Sequence, residues 1–251
     1  MSRILTGICF ADPANRLYEV AVCRGQSFLH AKERFRVQIC FKRATTLPSE
    51  DRFLAELLTV HHFLMDPSIL WHMEKQVYAC TTTWASTSQW LTGIYQNKGS
   101  TNNVTKVIKY MHALFPGLKT SVEASEQGYD QAMNSENLEI PCWPVMPTFD
   151  CELGTVQVTM GGMIRYTETM SNKNCKHPLN LMIKSFRRGM IPVEQLPISM
   201  TERLLPLDMN TIGEVFTHET WPRYRYVFVI GVGGIKKLVN VVKLRLKPQE
   251  E

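Results

Sequence analysis

The stretch "ASTSQWLTGI", residues 85–94, joins two different kinds of sequence. The run that leads into it, "KQVYACTTTW", is rich in β-branched and aromatic residues and reads as a strand. The run that follows, "SQWLTGIYQNKG", reads as a short helix or turn that stops at Gly99. No carboxylate lies within the ten residues; the stretch opens on Ala85 followed by Ser86, Thr87 and Ser88.

Upstream, three strand candidates follow one another across short turns. "LTGICFA" stops at the turn signal "DPAN", and "LYEVAVC" alternates until an Arg-Gly pair breaks it. "FRVQICF" places Phe35, Val37, Ile39 and Phe41 on one face. "LPSEDRFLAELLTVHHFLMDP" is then the clearest helix. Phe53, Leu57, Val60 and Leu64 recur at helical spacing, Ser49 is the candidate N-cap, and Glu50 and Asp51 complement the positive helix start. Downstream, "NVTKVIKYMHALFPG" predicts a second amphipathic helix and "LKTSVEA" a fifth strand. "SEQGYDQAMNSENL" reads as a polar helix.

"IPCWPVMP" carries three prolines between Pro141 and Pro147 and predicts a linker or crossing segment. Two domains are therefore expected, residues 1–140 and a β-rich 141–251. In the second, "GTVQVTMGGMIRYTETM" reads as strand, Gly-Gly turn, strand. "PLNLMIKSFRRGM" reads as a helix, and "RYRYVFVIGVGGIKKLVNVVKLRLK" as a closing hairpin.

With 251 residues there is ample material for a buried core, and 44% hydrophobic with 20% charged residues is ordinary for a globular protein. The net charge of +5 permits a polyanionic partner without demanding one. The seven cysteines are odd in number and contain no C-x-x-C, which favours a reduced protein over a disulfide scaffold. The N-terminus has too short an apolar run for a signal peptide, and no run reaches membrane-spanning length. The expectation is a cytoplasmic protein without membrane insertion, in a cell or in a virus-infected cell.

Three strands, a helix, a strand, a helix, a strand and a last helix form an order that resembles the ribonuclease H fold. "STSQWLTGI" is similar to that family's T-D-S-Q-Y-hydrophobic-x-x-G-I at the end of the fourth strand. Ser86 matches the Thr, Thr87 the Asp, Ser88 and Gln89 the Ser-Gln, Trp90 the Tyr, and Gly93-Ile94 the closing pair. By the same resemblance Asp12 in "CFADPAN" stands for the first-strand Asp. Glu56 in "LAELLTV" stands for the helix Glu, and Asp130 in "GYDQAM" for the last Asp. The resemblance covers residues 1–138 and implies a mixed five-stranded sheet with flanking helices.

In that family the carboxylates hold two divalent metals about 4 Å apart, one activating water and one stabilising the leaving oxygen. Magnesium needs anionic oxygen ligands, and Thr87 offers a neutral hydroxyl. With Asp12, Glu56 and Asp130 as the remaining metal ligands, the loss is expected to lower the rate by about three orders of magnitude or more. The family's His near the fifth strand is also absent, with Ser125 nearby.

Each of these residues has a plainer reading. Asp12 before Pro13 can be a turn-former, Glu56 the solvated flank of an amphipathic helix, and Asp130 a first-turn acid. His61 and His62 diverge by about 100° on a helix and do not suit one metal. Cys142, Cys151, Cys175 and His177 match no zinc-knuckle spacing. "GVGGIKK" lacks the G-K-[ST] of a phosphate loop and reads as a hairpin turn. Residues 221–247 carry Arg223, Arg225, Lys236, Lys237, Lys243, Arg245 and Lys247 with no acid, interleaved with Trp221, Tyr224 and Tyr226. They suit a nucleic-acid strand, or equally the solvated face of a hairpin.

Three functions stay open. The first is a non-catalytic ribonuclease H-like adaptor, of viral (phage) origin, that contacts proteins, nucleic acid or both and needs no cofactor. The second is an active nuclease or resolvase using Mg2+ or Mn2+, with Glu74 or Glu123 replacing the missing ligand. The third is a structural or assembly protein.

Overall fold

The computed structural model describes residues 3–25, 30–31, 33–44, 46–65, 79–82, 102–116, 118–122, 135–170, 178–193 and 213–244. The chain divides into two units, residues 1–112 with 117–145, and residues 113–116 with 146–251. Among the described residues each unit contains a six-stranded sheet.

The first unit opens with β1 (Arg3–Asp12), β2 (Leu17–Arg24) and β3 (Glu33–Cys40), paired antiparallel in sequence order. Then come α1 (Pro48–Met65), β4 (Ala79–Thr82), α2 (Asn102–Leu114), β5 (Lys119–Val122) and β6 (Asn137–Glu139). β4 lies parallel to β1, and β5 parallel to β4, so the sheet runs β5-β4-β1-β2-β3-β6. This is the mixed α/β arrangement of ribonuclease H type that the element order implies, enlarged by one strand. β6 is the addition. Its sequence, Asn-Leu-Glu, has no strand signal, but it covers the open edge of β3. Arg36 N donates to Glu136 O at 3.1 Å, and Ile140 N to Gln38 O at 3.1 Å.

Residues directly opposite in an antiparallel pair share a face. Tyr18, Val20 and Val22 oppose Ile39, Val37 and Phe35. Phe35 meets Phe63 of α1 at a ring distance of 5.4 Å, so this face packs on α1. The other face holds a separate cluster of Leu5, Ala21, Cys23 and Ala31, with Cys9 against it.

α1 begins one residue before the expected cap. Pro48 takes the first helical position, where a missing N–H costs nothing. Ser49 lies inside the helix, and Glu50 Oε2 accepts from Leu47 N at 3.1 Å, the reach-back half of a capping box. Nor is the helix amphipathic: every residue from Phe53 to His61 is buried. Leu57 is completely buried and Leu58 nearly so. Leu57→Ala is expected to cost about 2 kcal/mol or more in a urea melt. A change under about 0.5 kcal/mol would place Leu57 outside the core.

The second unit contains β7 (Thr148–Cys151), β8 (Gly154–Val158), α3 (Met160–Met170), α4 (Pro178–Phe186), β9 (Met190–Pro192), β10 (Gly213–His218), β11 (Trp221–Ile230) and β12 (Lys236–Lys243). The sheet order is β7-β8-β12-β11-β10-β9, with β8 and β12 parallel and the other pairs antiparallel. The region is β-rich, as expected, but residues 160–170 form a helix where strand-turn-strand was predicted. Two contacts explain it. Thr159 Oγ1 accepts from Gly162 N at 3.0 Å, which caps the helix, and donates to Leu238 O at 2.7 Å, which ties the cap to β12. Gly162 thus serves helix packing and not a turn.

α4 packs on the same sheet face, where Phe186 meets Tyr226 at 5.2 Å and Phe228 at 5.8 Å. The β11–β12 hairpin closes through Gly233 (φ 73°) and Gly234 (φ 77°), a conformation that favours glycine. Gly231 N donates to Ile235 O at 2.8 Å across this turn, as the hairpin reading of "GVGGIKK" requires. Among the described residues no helix is long and apolar enough to cross a membrane.

Candidate functional site

β1 carries Asp12 at its C-terminal end, and a bulge decides where that residue points. Ile8 opposes Val20, but Phe10 opposes Glu19, so Cys9 is the extra residue. Up to Ile8 the even-numbered residues face α1. After Cys9 the parity is inverted. Asp12 opposes Leu17, which lies on the sheet face away from α1.

Asp12 is also occupied locally. Its Oδ1 accepts from Asn15 N at 3.1 Å and its Oδ2 from Asn15 Nδ2 at 2.8 Å. The Asn15 side-chain bond, then the backbone bond, hold its carboxyl below the usual aspartate range. This is the Asx-turn geometry of a turn-former.

Glu56 sits in the middle of α1 and is fully buried, so the solvated-flank reading does not hold. The structure therefore places Asp12 and Glu56 on opposite sides of the sheet. Thr87, Asp130 and the alternative ligands Glu74 and Glu123 lie outside the described residues. No group of three His, Cys, Asp or Glu suited to a metal occurs among the described residues. Cys142 and Cys151 are free thiols, while Cys175 and His177 lie outside the described residues.

A carboxylate that engages a partner across the first unit is Asp51, which sequence reasoning assigns only to the helix dipole. Arg16 Nε donates to Asp51 Oδ2 at 2.7 Å and Arg16 Nη2 to Oδ1 at 2.8 Å. This bidentate fork links the β1–β2 turn to the first turn of α1. Arg16 Nη2 also donates to Thr46 O at 2.8 Å.

The basic residues of the C-terminal hairpin are divided between the two faces of their sheet. Lys236 and Lys243 oppose Ile230 and Tyr224, on the face of Tyr226 and Phe228. Lys237 and Arg225 oppose Val229 and Val242, on the other. Several are already engaged. Lys236 pairs with Glu214 and stands over the Phe216 ring at 5.6 Å. Lys243 stands over Tyr224 at 5.7 Å. Arg225 Nη1 donates to Pro222 O at 2.7 Å and to Thr217 Oγ1 at 2.9 Å. Arg223 is exposed, and Arg245 lies outside the described residues.

One further feature escaped the sequence reading. Leu58, His61, His62 and Met65 stand at i, i+3, i+4 and i+7 on α1, hence on one helix face. With the Ile140–Val145 segment they line an open pocket of about 270 Å³. The sequence reads this segment as a linker or crossing segment; the clue to a pocket wall is a tryptophan, Trp143, between two prolines. His61 is 3% exposed, and its Nε2 has no hydrogen-bond partner among the described residues. Burial, and secondarily the neighbouring His62, push its pKa down to about 3.

The sign of the resulting pH dependence follows directly. The unfolded chain protonates this imidazole near pH 6.5 and the folded chain only near 3. Stability is therefore complete above about pH 6.5 and falls with acidification, by up to about 1.4 kcal/mol per pH unit. His61→Phe is expected to reduce the acid-side slope of stability between pH 6 and 4. An unchanged slope would show that His61 does not resist protonation.

No protein-family model and no curated protein matches the sequence. Two solved structures of LC11-RNase H1 are similar to part of the chain. One, in complex with RNA/DNA hybrid, has a TM-score of 0.37 and 13% identity over 52% of this chain and 90% of its own. The other, of the protein isolated from compost by a metagenomic approach, has a TM-score of 0.36 and 13% identity over 51% and 88%.

Proposed function

We propose that the protein is a non-catalytic binding protein built on a ribonuclease H-type sheet, with another protein as its partner. The observation that carries this reading is the inverted register of β1 after Cys9. It turns Asp12 to the face opposite the one on which α1 and Glu56 pack, and Asn15 occupies both Asp12 oxygens. A two-metal centre needs its carboxylates around one point. The fold alone implies no activity. The division of the hairpin cations between two faces supports a protein partner over a phosphate backbone, which rewards cations on one face.

Cleavage assays on RNA–DNA hybrid, duplex and branched DNA with magnesium or manganese test the reading. No cleavage is expected. Calorimetric titration with manganese is expected to show no gain in affinity for Thr87→Asp over wild type, because Asp12 and Glu56 do not share a face. Cleavage by wild type that is lost in Glu56→Gln would overturn the non-catalytic reading. Tight, salt-dependent hybrid binding that Arg223→Glu with Lys237→Glu weakens would assign nucleic acid as the partner instead.

A further inference from the structure

The two edges of the second sheet are not alike. At the β9 edge, residues 189, 191 and 193 carry the bonds to β10: Glu219 N donates to Gly189 O at 2.9 Å, and Val193 N to Val215 O at 2.8 Å. Alternation then turns the backbone groups of Met190 and Pro192 outward. Met190 N donates to Glu152 Oε1 at 2.7 Å, and Pro192 has no N–H. This edge offers an incoming strand no donor along β9.

At the β7 edge the outward donors are open. Val158 N donates to Pro147 O at 2.9 Å, so Phe149 and Cys151 are the next residues of β7 bonded to β8. Thr148 and Asp150 therefore turn their N–H and C=O groups away from β8. Neither amide has a partner among the described residues, and both residues are exposed.

We infer that β7 pairs antiparallel with β7 of a second copy of this chain, joining the two sheets through their open edges. The occupant is a second copy because the strand is complementary to itself. With Phe149 opposite Phe149, Thr148 and Asp150 of one copy meet Asp150 and Thr148 of the other. Every outward N–H of the strand then meets an outward C=O, and the two-fold axis passes between the phenylalanines.

Side chains select the same register. Phe149 is half-buried, with its ring 6.2 Å from that of Phe186, and the pairing sets it against its own copy. An aromatic pair directly opposite across two strands is favourable. A slip of two residues in one direction would put Asp150 opposite Asp150, two like charges, which is unfavourable. The slip in the other direction would pair Asp150 with Met146, which lies outside β7. Because β9 is closed to strand addition, this sheet joins at one edge only, and the assembly stops at two copies instead of growing into a fibre. The paired strands are short, so the association is weak, with a Kd on the order of 100 µM. The inference is independent of the non-catalytic reading.

Sedimentation equilibrium and amide hydrogen exchange on the full chain test it. A monomer–dimer equilibrium is expected between roughly 10 µM and 1 mM protein. Over that range the Thr148 and Asp150 amides should exchange about fivefold more slowly, while those of Phe149 and Cys151, already bonded to β8, should not change. Asp150→Pro removes an outward N–H and leaves the β8 ladder intact, so it should weaken dimerisation at least tenfold. Asp150→Asn keeps that N–H and should dimerise at least as well as wild type.

A monomer throughout the range would overturn the inference, as would a species larger than a dimer. A dimer that Asp150→Pro leaves unchanged would place the interface elsewhere. Concentration-independent exchange at Thr148 and Asp150 in a dimeric sample would do the same, and that measurement needs no variant.

Discussion

Gly162→Ala is expected to destabilise the second unit by about 3–5 kcal/mol, beyond the usual range for overpacking. A Cβ at this position would lie 2.2 Å from the Leu238 carbonyl oxygen and 2.8 Å from its carbon. Both are backbone atoms of β12, which hydrogen bonds to β8 and β11 hold on either side, so neither can turn away. The neighbouring residue is the control. A Cβ on Gly161 meets nothing nearer than 3.7 Å, and alanine is the better helix former by about 1 kcal/mol. Gly161→Ala should therefore be neutral or slightly stabilising. Thermal or urea unfolding of the two variants side by side checks the pair. Equal behaviour would mean that α3 does not approach β12 this closely.

Asp51→Asn should cost about 3–5 kcal/mol, because it strips the charge partner from a largely buried guanidinium. The Asp51 side chain is 0% exposed and that of Arg16 only 18%. Amide substitution keeps the shape and removes the charge, so the loss reports the ion pair and not packing. Replacing both residues with apolar ones of similar size should recover part of the loss, since no buried charge would then remain. A cost below about 1 kcal/mol would place the pair among solvated surface bridges. The fork joins the turn that carries Asp12 to the helix that carries Glu56, so its loss should also loosen the geometry on which the non-catalytic reading stands.

Local sequence determined much of this protein. Alternation in "FRVQICF" placed Phe35, Val37 and Ile39 on one face, and they share the α1 face. Helical spacing found α1, α2 and α4, and the paired glycines found the β11–β12 turn. These features need only neighbours within a turn or two, and periodicity reports them.

Tertiary structure decided the rest. β6 is a strand because β3 offers an unpaired edge, not because Asn-Leu-Glu prefers extension. Residues 160–170 are helical because Gly162 lets a helix lie against Leu238, a contact 76 positions away in sequence that no local window contains. Glu56 is buried because α1 is covered on nearly every side, although its helical pattern alone allowed a solvated flank. The orientation of Asp12 was least legible of all. Counting from Ile4, strict alternation would aim it at α1. One extra residue at Cys9, visible only in the pairing with β2, sends it to the other face, because the side-chain period of a strand is two and a single insertion inverts everything beyond it.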